Sequence, residues 1–68
     1  MNNNQSMTPQ EFSAFLTVFD LSDKDAADIF EVTIPAVKYW LTGQRRIQPL
    51  VAKLVRTLLR KPELLKEF

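Results

Sequence analysis

The sequence predicts an all-α domain of four to five short helices, on three observations. Apolar residues recur at helical spacing in successive segments, each segment opens on a capping residue or a proline, and one glycine among 68 residues leaves few sites for hairpins. No segment alternates apolar and polar residues as a half-buried strand does.

The first seven residues lack periodicity and are expected to form a disordered tail, which leaves residues 8–68 as one domain. Thr8-Pro9-Gln10-Glu11 combines a cap threonine, a proline at the first helical position and a glutamate three residues after the cap, the pattern of a capping box. Phe12, Phe15, Leu16 and Phe19 follow at i, i+3, i+4 and i+7, so a helix is expected from about Pro9 to Phe19. Ser22-Asp23-Lys24-Asp25 repeats the cap with acids at the positive end of the helix dipole, opening a short helix to Phe30. Ala26 and Ala27 let another helix approach closely, and Phe30 fills the core.

Thr33 caps a third helix that Gly43 closes in the left-handed conformation. At about 100° per residue, Ile34, Val37, Trp40 and Leu41 gather on one side and Pro35, Lys38, Tyr39 and Thr42 on the other. Pro49 starts a fourth helix with Leu50, Val51, Leu54, Val55, Leu58 and Leu59 on a broad apolar arc and Lys53, Arg56 and Arg60 beside it. Pro62 ends it and opens a last short helix carrying Leu64, Leu65 and Phe68.

Chemistry is bounded by what is missing. The chain has neither cysteine nor histidine, so disulfides, thiol nucleophiles, imidazole bases and the usual zinc ligands are absent together. Nothing resembles a nucleophile, base and oxyanion site in one pocket, so no enzyme activity, metal or cofactor is expected. No apolar run reaches membrane-spanning length and the polar start does not read as a secretory signal, which predicts a cytoplasmic protein with no membrane partner. A core this small makes stability marginal and a homodimer plausible.

The net charge of +1 hides a division along the chain. Residues 1–37 hold one base and six acids, a net −5, whereas residues 38–61 hold seven bases and no acid, a net +7. One surface meeting a polyanion while the other faces water or a partner would produce that division. Ala27, Val32, Val37 and Trp40 form a small, apolar, apolar, aromatic series across a three-residue connection, Glu31 to Thr33. Two helices crossing steeply need this: a small residue at the crossing and apolar anchors under the second helix. When the first of two such helices rests on a DNA backbone, the second presents its amino-terminal end and outer face to base edges.

Through Ala27, Val32, Thr33, Val37, Trp40 and Gly43, with Pro49 and the apolar fourth helix at the usual distance, the chain resembles the lambda repressor/Cro-like (XRE) helix-turn-helix family over about residues 8–59. The resemblance implies a compact five-helix domain and a homodimeric repressor of its own operon, of phage or mobile-element type, on an inverted-repeat operator of double-stranded DNA. It places the base-reading positions on Thr33, Ile34, Pro35, Lys38 and Tyr39 and the phosphate-gripping loop on Gln44, Arg45 and Arg46. Two positions depart from the family pattern. Asp23 stands where a phosphate-touching glutamine often opens the second helix, and Glu31 replaces the turn glycine, so the turn either needs no positive φ or is mildly strained.

Side-chain chemistry supports those roles independently. Lys38 can donate to guanine O6 or N7, Tyr39 can donate to phosphate or stack on sugar, and Thr33 or Ile34 can touch a thymine methyl. Thr42 shares that face. Arg45 and Arg46 can bind phosphates or probe a minor groove, and Lys53 and Arg56 can add backbone contacts. Trp40, Val37 and the phenylalanines are read as core. The fourth helix has an apolar arc wider than a core-facing stripe, so Val55 and Leu59, with Leu64, Leu65 and Phe68, are expected to form the dimer contact. A second reading keeps the fold as an antitoxin-like or adaptor module that binds a protein partner through the acidic first half.

Overall fold

The computed structural model describes residues 7–67. They form α1 (Pro9–Val18), α2 (Asp23–Phe30), α3 (Ile34–Thr42), α4 (Pro49–Arg60) and a closing 3-10 helix (Pro62–Glu67), with no strand among the described residues. Phe19 caps α1 instead of extending it. Residues 1–6 of the expected tail, and Phe68 at the other end, lie outside the described residues. Met7, expected in the tail, is buried in the core.

Both expected capping boxes form. Glu11 N donates to Thr8 Oγ1 at 3.1 Å and Thr8 N donates to Glu11 Oε1 at 2.9 Å. At α2, Asp25 N donates to Ser22 Oγ at 3.0 Å and Ser22 N to Asp25 Oδ2 at 3.1 Å. The bond from the Ser22 backbone, and then that to its side chain, hold the Asp25 carboxyl below the ordinary value of 3.8. A carboxyl whose folded pKa is depressed contributes stability above its unfolded pKa and loses it as pH falls through the folded one. Thermal denaturation of Asp25→Asn across the acid range is therefore expected to show a shallower loss of stability below pH 3.8 than the parent chain; an equal loss would remove the box from the acid response.

The ends of α1 and α2 are made alike. Leu21 N donates to Leu16 O at 2.8 Å and Asp20 N to Thr17 O at 3.1 Å, and after α2 Val32 N donates to Ala27 O at 3.0 Å and Glu31 N to Asp28 O at 3.4 Å. This paired closure requires a left-handed residue, a place glycine usually fills. Here Asp20 (φ 55°) and Glu31 (φ 56°) adopt it, so the α2–α3 turn is the strained alternative of the two the sequence left open. Glu31→Gly removes the Cβ penalty at the cost of a more flexible unfolded chain, so a gain of up to ~1 kcal/mol is expected. A lower denaturation midpoint for Glu31→Gly would contradict strain at this residue.

The core is an aromatic cluster closed by small residues. Phe12 lies at its centre, with ring centroids 5.6 Å from Trp40 in an edge-on arrangement, 6.1 Å from Phe15 and 6.0 Å from Phe30. Such tilted and edge-on pairs add ~0.5–1.5 kcal/mol each beyond the area they bury. Ala26 and Ala27 are buried on α2 where α3 packs closely against it, as their size requires. Ile47, between α3 and α4, is also buried and pins that basic segment to the core.

The fourth helix is rotated relative to the expectation. Val51, Ala52, Val55 and Leu58 face inward, and Val55 is 0% exposed, so it belongs to the core of this chain and cannot form a dimer contact. The displaced edge is Leu50, 76% exposed on the first turn. Ala52 explains the difference. Counting only large apolar residues centres the arc between Leu58 and Val51, but the fully buried alanine shifts the inner face toward Val55 and carries Leu50 outward. Leu59 is 45% exposed, while Leu64 and Leu65 are half-buried against the core. Among the described residues no helix is long and apolar enough to cross a membrane.

Candidate functional site

The expected binding residues centre on α3. Thr33 Oγ1 accepts from Ala36 N at 3.2 Å, Pro35 stands in the first turn, and Gly43 closes the helix at φ 84°. Among the described residues a Cβ at Gly43 would meet Pro9 Cγ at 3.6 Å, an ordinary contact, so backbone conformation and not crowding calls for glycine there.

Val37 and Trp40 point into the core and fix the rotation of α3. The face left outside carries Thr33, Ile34, Pro35, Lys38, Tyr39 and Thr42, all exposed. Ile34, expected beside Val37 on the inner side, is exposed as well, because the first residue of α3 projects past its neighbours. Leu41 is half-buried against the core.

The loop after α3 returns to this face. Arg45 N donates to Tyr39 O at 3.2 Å, and the Arg45 guanidinium carbon lies 5.0 Å from the centre of the Tyr39 ring. A cation over an aromatic face is held by the ring quadrupole, at about 0.5–1 kcal/mol in exposed positions, so Arg45 is oriented and not merely solvated. Thr42 Oγ1 donates to the same Tyr39 carbonyl at 3.3 Å. Gln44 and Arg46 are exposed beside it.

The chain, compared with models of protein families, with curated proteins and with solved structures, matches none.

The electrostatics of the α3 face has a feature that helix-by-helix reading missed. Lys38 Nζ lies 3.3 Å from Asp23 Oδ2, an ion pair from the outward face of α3 to the first residue of α2. Asp23 stood out in the sequence as an acid in an unfavourable place, and a lysine one helix later was the signal for its partner. Lys24 and Asp28 pair at 3.1 Å within α2, both well exposed. Lys53 is on α4, where it lines a shallow depression with Leu50, Leu54 and Thr57. Of the expected dimer residues, Leu59, Leu64 and Leu65 remain accessible to differing degrees, Val55 is excluded, and Phe68 lies outside the described residues.

Proposed function

We propose that this chain is a sequence-specific DNA-binding regulator, a homodimeric repressor in which α2 and α3 act as a helix-turn-helix and α3 enters the major groove. The observation that carries the reading is the outward face of α3. Thr33, Ile34, Pro35, Lys38, Tyr39 and Thr42 share it, Arg45 is stacked on Tyr39, and Arg46 is exposed at the carboxyl end.

Such a face combines what readout requires. Apolar Ile34 and the Thr33 methyl suit thymine methyl groups, the Lys38 ammonium suits guanine acceptors, and the arginines reach phosphates at the flank. Trp40 and Val37 hold the helix from behind, so its outer residues have a fixed register. Lys53 is exposed on α4, outside the helix that carries this face.

Two copies are proposed to meet through Leu59 with Leu64 and Leu65, which would set the recognition helices on half-sites ~10 base pairs apart or a near multiple. The deciding experiment is selection of duplexes from a random library by the purified chain. An enriched inverted repeat, bound in preference to random duplex, supports the reading; recovery of no preferred sequence refutes it. Leu59→Lys is expected to reduce the mass in solution to that of the monomer and weaken binding to the full repeat, and an unchanged dimer would reject this interface.

A protein-binding role, antitoxin-like or adaptor, has one observation in its favour. A cleft of about 570 Å³ has Leu21, Ile29 and Leu65 on its walls with Asp25, Asp28 and Glu31 around them. Failure of the duplex selection would turn attention to that acidic side.

A further inference from the structure

We infer that Asp23 is a specificity-determining residue of the α3 surface, acting through its ion pair with Lys38. The inference rests on the DNA-binding reading above and gives Asp23 a role beyond its place in the first turn of α2.

The pair joins the two helices at the edge of the outward face: Lys38 Nζ to Asp23 Oδ2 is 3.3 Å, with the side chains 62% and 35% exposed. Holding the fold is not its main effect, because exposed ion pairs contribute little to stability. Nor is Asp23 needed to cap α2, since Ser22 and Asp25 make the capping box.

Its consequence lies in what Lys38 does on DNA. An unpaired lysine is a flexible point charge that binds any nearby phosphate, and phosphate contacts carry no sequence information. Paired with Asp23, the ammonium is held 3.3 Å from the carboxylate, with donors left for an acceptor on a base edge. The pair is neutral overall, so on random DNA it displaces no net counterion and contributes almost nothing. On a matched site the oriented ammonium still gains guanine O6 or N7. The carboxylate at the start of α2 also repels phosphate on every duplex alike, so discrimination comes from the ammonium it orients.

The test uses the selected duplex and a random duplex over a salt series, with the wild-type chain, Asp23→Asn, Asp23→Glu, Lys38→Ala and the double variant Asp23→Asn/Lys38→Ala. Asp23→Asn is expected to bind random duplex several-fold more tightly, to steepen the slope of log affinity against log salt by about one, and to lose preference for the selected duplex. Asp23→Glu should retain the wild-type preference. In the Lys38→Ala background, Asp23→Asn should tighten both duplexes alike and leave preference unchanged. The inference is overturned if Asp23→Asn leaves slope and preference as they were, or alters preference equally with and without Lys38. A wild-type chain that prefers no duplex refutes the DNA-binding reading itself, and that outcome is seen before any variant is measured.

Discussion

Trp40→Ala is expected to unfold the chain. The indole is 3% exposed, meets Phe12 edge-on at 5.6 Å and Phe30 at 6.3 Å, and is one of two buried side chains under α3. Truncating a buried aromatic side chain costs ~3–5 kcal/mol through lost transfer energy and the cavity left behind. A domain this small has a total stability of roughly 3–10 kcal/mol, so one substitution removes most or all of it. Trp40→Phe, which keeps a ring against Phe12, should remain folded with a lowered midpoint. Far-ultraviolet circular dichroism during chemical denaturation reads both outcomes. If Trp40→Ala stays folded at parental stability and only binding is lost, the indole belongs to the binding surface and the rotation assigned to α3 is wrong.

The double substitution Arg45→Ala/Arg46→Ala is expected to cause the largest loss of DNA binding with the fold intact. Both arginines are exposed in the segment after α3, so removing them creates no cavity. Each phosphate neutralised contributes about 0.9 to the slope of log affinity against log salt, and losing two should flatten that slope by roughly 1.8. Selected and random duplexes should weaken to a similar degree, because phosphate contacts position the protein without reading bases. The two residues are not equivalent. Arg45 alone is stacked on Tyr39, and lysine cannot reproduce a planar guanidinium over a ring, so Arg45→Lys should release Tyr39 while preserving the charge. An unchanged salt slope in the double variant would remove this loop from the proposed interface.

These two expectations depend on different kinds of information. That Trp40 is inside was legible from spacing, since Val37 and Trp40 fall on one side of a helix bounded by Thr33 and Gly43. That Arg45 folds back on Tyr39 was not, because the return of the loop depends on Gly43 at φ 84° and on Ile47 anchored in the core. An isolated isoleucine in a basic loop was the one sequence signal for that anchor.

The sequence by itself determined where the helices start and that Phe12, Phe15 and Trp40 are buried. Caps are bonds between residues three apart, as between Thr8 and Glu11 or Ser22 and Asp25, so a short stretch of chain contains all the information they need. The aromatic core follows from period alone, since Phe12 and Phe15 stay on one face wherever α1 is placed. Only the tertiary structure decided how α4 is turned, with Val55 inside and Leu50 outside, because the close approach at Ala52 depends on which helices surround it. It also decided that Met7 belongs to the core and that Lys38 meets Asp23, a pair separated by the rest of α2, a turn and the first residues of α3. Period and capping are properties of one segment, whereas the rotation of a helix and the partner of a charge are set by packing between segments.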